Sequence, residues 1–245
     1  MDMLFELHSG LSQQAPGNNS STLRALSMMT SPSHTPRILD IGCGPGRQTI
    51  ALARITGAKI VGVDIHQPFL DDLKMRAARA GLTDQVAAEN CSMSEMDFEK
   101  DSFDIIWSEG AIYIIGFNNG LTEWKKFLKP DGFMALTELS WLTDDPPPEA
   151  KNYWLAEYPA MKTIQQNIET IEKAGFTFVD SFTLPDSAWW ENYYIPLEKK
   201  IERFREKYAT DREALEFAES SQAEIDLFRE YSNSYGYVFY IMKKQ

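Results

Sequence analysis

Ile38-Leu39-Asp40-Ile41-Gly42-Cys43-Gly44-Pro45-Gly46 is the stretch that decides the fold of this chain. A short apolar strand runs straight into three glycines at alternate positions. Arg47 to Thr56 then reads as a helix, with Ile50, Leu52 and Ala53 apolar and Gly57 as its stop. Glycines let backbone approach a ligand closely, because no side chain intervenes. The free N–H groups of the following helix start can meet a polar or anionic group. Lys59 to Asp64 is the next buried strand, and its terminal acid stands 18 residues past Gly46. A carboxylate at that place can accept hydrogen bonds from two ribose hydroxyls. The unit therefore predicts a ligand that carries a nucleoside. Spacing excludes two phosphate binders. A dinucleotide fingerprint needs Gly or Ala where Arg47 stands, and no G-K-[ST] completes a P-loop.

Working outward, strand and helix alternate from 37 to 184. Gln67 to Ala80 is a helix with Phe69, Leu73, Ala77 and Ala80 on one face, and Val86 to Glu89 a weak strand. Phe103 to Ser108 is a clear strand. Leu121, Trp124, Phe127 and Leu128 mark a helix that stops before Pro130, and Phe133 to Leu139 is a strand entered through Pro130-Asp131-Gly132. Ile164, Ile168, Ile171 and Ala174 mark a helix closed by Gly175. Phe176 to Leu184 and Tyr235 to Met242 are the last strands. Such alternation predicts an α/β, doubly wound, mostly parallel sheet. Residues 1–36 form an N-terminal arm: a polar loop at 12–22, a helical pattern through Leu23, Leu26 and Met29, and a loop at 31–36. The remaining domain, 37–245, carries insertions at 140–162 and 185–234. Both leave the carboxyl ends of strands, where open sheets bind ligands, and together with the N-terminal arm are expected to form a helical, aromatic lid. Trp141, Tyr153, Trp154, Tyr158, Trp189, Trp190, Tyr193 and Tyr194 belong to them, either as pocket wall or as the lid's own core.

Of the 245 residues, 43% are hydrophobic and 24% charged, which excludes a disordered or fibrous chain. No run approaches the roughly 18 apolar residues of a membrane helix. Met1 to Gly10 lacks the basic start and apolar run of a secretory signal, so a cytoplasmic location and no membrane partner are expected. Asp and Glu outnumber Lys and Arg by 36 to 24, a net charge of −12 that repels nucleic acid and favours a small-molecule partner. Cys43 and Cys91 have no metal-ligand spacing, and no metal site is expected.

D-I-G-C-G-P-G after a strand, with V-G-V-D ending the next, resembles the first motif and acidic partner of Rossmann-like (class I) S-adenosylmethionine-dependent methyltransferases. The resemblance continues through E-N-C-S-M at 89–93, F-D-I-I-W-S-E-G at 103–110 and L-K-P-D-G-F at 128–133, in the manner of the ubiquinone/menaquinone-type small-molecule branch. Asp131 departs from the usual turn glycine, a mild change, since Asp favours turns. The resemblance implies a seven-stranded sheet with an antiparallel last strand and S-adenosyl-L-methionine as cofactor. It implies roles as well. Gly42, Cys43, Gly44 and Gly46 lie beneath the methionine portion, anchored by Asp40. Arg47 or Gln48 reaches its carboxylate. Asp64 holds the ribose with Ile65 on the adenine face, Ser92 and Met93 flank the adenine edge, and Ser108 lies beside the sulfonium. The reaction implied is in-line displacement of the methyl group by a small-molecule acceptor. Where the acceptor must lose a proton, Glu109 is the expected base, with Tyr113 and His8 as further candidates. The acceptor atom and the oligomeric state stay open. Two other readings are weaker. A non-catalytic cofactor-binding interaction module is disfavoured by the intact glycine loop and Asp64. A protein or nucleic-acid methyltransferase is disfavoured by the charge and by Asp145-Pro146-Pro147-Pro148, which follows the fifth strand and lacks the aromatic of a D-P-P-Y motif.

Overall fold

A computed structural model describes residues 3–29 and 35–245; most of the expected loop at 31–36 lies outside them. The arm supplies α1 (Met3–His8) and α2 (Asn19–Ser27), the second capped by Asn18, whose side chain accepts from the Ser21 N–H at 2.8 Å. The alternating region follows as β1 (Arg37–Ile41), α3 (Arg47–Thr56), β2 (Lys59–Asp64), α4 (Gln67–Ala80), β3 (Val86–Asn90), β4 (Phe103–Ser108), α5 (Phe117–Trp124) and β5 (Leu128–Trp141). Then come α6 (Pro148–Glu157), the two-residue β6 (Lys162–Thr163), α7 (Ile164–Lys173) and β7 (Phe176–Thr183). The chain continues with α8 (Asp186–Trp189), a wide π-helical turn (Trp190–Tyr194), α9 (Ile195–Lys207), α10 (Arg212–Tyr231) and β8 (Tyr235–Lys244).

The sheet path is β3-β2-β1-β4-β5-β8-β7, with β6 paired to β5 off that path. All pairings are parallel except those of β8, which runs antiparallel to both β5 and β7. Seven strands with a reversed last one are what the motifs implied. Strand geometry sends neighbouring residues to opposite faces. Ile38, Ile105, Trp107 and Phe133 accordingly pack with Ala25, Leu52 and Ala77 of α2, α3 and α4. Leu39, Ile106 and Met134 pack on the other face with Leu121, Trp124 and Ile171 of α5 and α7. Both faces are covered, so the strands read as continuous apolar runs.

One expectation is corrected between 117 and 141. The helix ends at Trp124, residues Lys125–Phe127 tighten into a 3-10 turn, and Leu128 already pairs with Phe103. The next pairing is Ile105 with Phe133, so Lys129 to Gly132 form a bulge inside β5 rather than a turn before it. Asp131, at φ 61°, supplies the left-handed residue this needs, which Asp tolerates better than most side chains.

A third apolar cluster joins α1, α6, α8, α9 and α10 to the ends of β5 and β8 through Leu7, Trp154, Trp189, Tyr194, Leu139 and Tyr235, among others. Trp154, Trp189 and Tyr194 are thus core. Among the described residues, no helix is long and apolar enough to cross a membrane.

Candidate active site

A cavity of about 730 Å³ opens at the carboxyl ends of β1, β2 and β4. Its first half is backbone and short side chains. Gly42, at φ 70°, comes so close to the loop after β4 that a Cβ there would sit 2.4 Å from the Ala111 Cβ. Gly42 and Gly44 both face the cavity. Asp64 is pinned beside them: one carboxylate oxygen accepts from the Gly44 N–H at 3.0 Å, the other from the His66 N–H at 2.9 Å. Burial pushes its carboxyl up from the ordinary aspartate range, against the pull of those two donors. Each oxygen keeps a lone pair for a further donor. Ile65 lines the cavity while 63% exposed, and Cys43, Ser92 and Met93 line it as well. The Ser92 hydroxyl is bonded to that of Ser94 at 2.8 Å, and the Met93 carbonyl accepts from the Trp124 indole at 3.0 Å, which leaves the Met93 side chain toward the cavity wall. The Cys43 thiol is buried, and burial raises it well above the ordinary thiol range, so it acts as a small apolar group.

Asp40, Gly46 and Ser108 are not cavity residues. Asp40 is fully buried beneath the loop, accepting from Thr49 at 2.5 Å and Gln48 at 3.3 Å; burial raises its carboxyl to about 7. Gly46 faces inward instead, where a Cβ would meet a Leu73 methyl carbon at 2.2 Å; it serves the packing of α4 against the start of α3. The Ser108 hydroxyl is spent on the Ile41 carbonyl at 2.9 Å, tying β4 to β1. Gln48 lines the cavity, but its amide donates to Asp40 and to the Cys43 carbonyl, bracing the loop from below.

The expectation for Arg47 is corrected. Its guanidinium pairs with Glu109 at 2.5 Å and also donates to Asn19 and Thr22. Glu109 accepts in addition from the Thr22 hydroxyl at 2.7 Å and the Trp107 indole at 2.9 Å. Both side chains line the cavity, yet together they fasten the arm to β4 and α3. Gly17 lies on this pair, its hypothetical Cβ 2.9 Å from a guanidinium nitrogen. Ala15 covers Gly110, where a Cβ would meet the Ala15 Cβ at 2.3 Å, and Gly110 is itself held by its N–H donating to Thr137 at 2.8 Å.

The arm, expected as part of the lid, supplies lining residues that the sequence did not single out. Gln13, Gln14, Ala15 and Pro16 line the cavity, and both amide atoms of Gln14 are buried without a partner beside Gly44. Buried polar atoms ordinarily find partners. An orphaned amide over a glycine cradle that also holds Asp64 fits S-adenosylmethionine: the amide suits the charged methionine end and Asp64 the ribose. Polar loop residues carry no periodicity, so only the tertiary arrangement reveals them.

The second half of the cavity is walled by Tyr113, Tyr153, Glu157, Tyr193, Phe217 and Glu224. Tyr113 keeps 46% of its surface, part of it toward the cavity. Burial, and next the Glu224 carboxylate, hold the Tyr113, Tyr153 and Tyr193 hydroxyls above the ordinary phenol range. His8 borders the same space. Its Nδ1 donates to the Leu4 carbonyl at 2.9 Å, so Nε2 accepts from the Tyr193 hydroxyl at 3.1 Å, and burial lowers its proton affinity. It is a neutral, doubly bonded imidazole.

Residues 38–132 match the family described as "Methyltransferase domain". The chain is similar to the methyltransferase GfsG of Streptomyces halstedii, 31% identical over 104 residues, which are 42% of this chain and 37% of that protein. It is also similar to the sterol 24-C-methyltransferase ERG6 of Saccharomyces cerevisiae, 27% identical over 170 residues, 65% of this chain and 44% of that one. The aligned segment thus covers less than half the length of either relative. Among solved structures, a methyltransferase from Geobacter sulfurreducens in complex with S-adenosyl-L-homocysteine superposes with a TM-score of 0.84 at 19% identity, covering 100% of this chain and 98% of that one. Residues 38–132 thus match a methyltransferase domain, and the whole chain shares the fold of the Geobacter sulfurreducens structure.

Proposed function

We propose that this chain transfers a methyl group from S-adenosylmethionine to a small-molecule acceptor held in the tyrosine-walled half of the cavity. The observation that carries the reading is the open backbone of Gly42 and Gly44 beside an Asp64 carboxylate already oriented by two N–H donors. Bound there, the cofactor supplies a sulfonium-activated methyl group. The protein's part is then alignment and exclusion of water. Asp64 fixes the ribose, Gln14 the methionine end, and Ile65 with Met93 the adenine. Gly110, beneath Ala15, and Ala111, against Gly42, line the cavity without adding bulk to it. The Arg47–Glu109 pair closes the arm over the cofactor half, and the arm, 140–162 and 185–234 act together as a lid. Tyr113 lines the second half of the cavity and is assigned to orient the acceptor. The finer placement in the quinone-type branch rests on the motifs at 89–93, 103–110 and 128–133; the relatives compared do not extend it, and no acceptor is carried over from the sterol enzyme.

Calorimetric titration tests the reading. S-adenosylmethionine and S-adenosylhomocysteine should bind and NAD should not; binding of NAD with neither sulfur nucleoside would refute it. Hydrogen exchange tests the lid: protection at 13–27 and 148–157 should rise with S-adenosylhomocysteine, and equal protection with and without it would exclude closure.

A further inference from the structure

We infer that the acceptor is an amine, recognised as a cation between Glu157, Glu224 and the tyrosines of the second cavity half; this rests on the methyltransferase reading above. The charge inventory of the cavity is uneven. Arg47 is matched by Glu109. Burial lowers the proton affinity of His8. Glu157 at the exposed rim and the half-buried Glu224 have no ion-pair partner among the described residues. Glu224 accepts one hydrogen bond, from the Tyr194 hydroxyl at 2.9 Å, and its other oxygen is not among the sealed, partnerless atoms.

Burial raises the Glu224 carboxyl, and the neighbouring Glu157 raises it further. Two like charges on one cavity wall repel in the empty protein, and a bound cation relieves that repulsion. The phenol rings of Tyr113, Tyr153 and Tyr193 line the same space. Aromatic rings attract cations electrostatically. Carboxylates beside aromatic rings favour an ammonium group and repel a carboxylate or phenolate head.

The reaction balances with these groups. The ammonium gives one proton to one of the two carboxylates. The freed nitrogen lone pair forms the new N–C bond, and the S–C bond breaks with its electron pair remaining on sulfur. Positive charge leaves the sulfonium and appears on the methylated nitrogen. The second carboxylate, still ionised, faces that charge as it develops, where fixed counter-charge is most effective.

The test uses the full chain saturated with S-adenosylhomocysteine and three probes that share an aromatic ring and differ in the head group: phenethylamine, phenethyl alcohol and hydrocinnamate. Titration should rank the amine roughly tenfold tighter than the alcohol, with the acid weakest. Glu157→Gln, at the exposed rim, and Glu224→Gln should each narrow the preference for the amine while S-adenosylhomocysteine affinity stays within about twofold. In the presence of S-adenosylmethionine, the amine should yield an N-methylated product. Failure to bind S-adenosylhomocysteine would overturn the methyltransferase reading itself. Normal S-adenosylhomocysteine binding with the alcohol or acid equal to or tighter than the amine, or a preference unmoved in Glu157→Gln, would overturn only the amine acceptor.

Discussion

Glu109→Gln separates two roles for one carboxylate. Sequence position alone makes Glu109 a candidate base; its partners make it the fastening of the arm. The substitution keeps shape and removes charge. Arg47 then loses its ion pair, and the glutamine NH2 can take the place of an oxygen that now accepts from Thr22 and Trp107. The side chains of Arg47 and Glu109 are only 13% and 4% exposed, so solvent screens the pair little. Breaking a buried pair from one side costs about 3–5 kcal/mol. Residues 13–22 contribute nothing to the three large apolar clusters, which α2 joins only from Ala25 onward, so most of that cost should appear as local opening of 13–22 rather than global unfolding. Hydrogen-exchange protection there should fall by an amount of that order, and S-adenosylhomocysteine affinity by more than about tenfold, or 1.4 kcal/mol. Thr22→Val, which removes the hydroxyl's bonds to Glu109, Arg47 and the Asn18 carbonyl but no charge, should move both in the same direction by about 1–2 kcal/mol, less than Glu109→Gln does. The reasoning fails if Glu109→Gln keeps arm protection and cofactor affinity while turnover drops about 10²–10⁴-fold, the signature of a lost general base.

Asp64→Ala should weaken S-adenosylhomocysteine binding by roughly 1.5–3 kcal/mol in calorimetry; an unchanged dissociation constant would remove Asp64 from the site. Gly42→Ala forces a Cβ to 2.4 Å from Ala111 at a positive φ and should cost about 2–4 kcal/mol in urea unfolding, from backbone strain and overpacking together; a midpoint equal to wild type would show that the loop yields. Burial raises the Glu138 carboxyl to about 7. Between its ordinary value and 7 the folded chain holds a proton that the unfolded chain releases, so this contribution declines as pH rises through that window and is flat above it. Wild type should lose about 2 kcal/mol relative to Glu138→Gln between pH 5.5 and 8; parallel stability curves for the two proteins would contradict it.

The cradle was legible because its signals are local. Glycines at fixed spacing and an acid ending the next strand follow from backbone geometry at those same positions, and the bounds of α3, β2, α4 and β4 come straight from apolar runs and glycine stops. What failed depended on distant partners. Gly46 looked like cofactor backbone but answers to Leu73, and Ser108 answers to Ile41. Lys129 to Gly132 read as a turn because Pro, Asp and Gly break helices, whereas pairing with β4 turns them into a bulge. Gln14 and Glu224 carried no signal at all: a polar residue in a loop or on a long helix reads as solvated until the fold folds it over a cavity.

The third apolar cluster limits how this protein can be re-engineered. Leu139 and Tyr235 belong to the sheet, yet they pack with Trp154, Trp189 and Phe228 of the surrounding helices; Trp154 and Phe228 lie 5.2 and 5.8 Å from the Tyr235 ring. The segments at 140–162 and 185–234 are therefore not interchangeable modules clipped to a finished scaffold. A graft that exchanged them for those of another methyltransferase, to change the acceptor, would strip contacts from both β5 and β8 at once. The transplantable unit has to include Leu139 to Trp141 and Tyr235 to Tyr237, so that the foreign helices bring their own sheet ends with them.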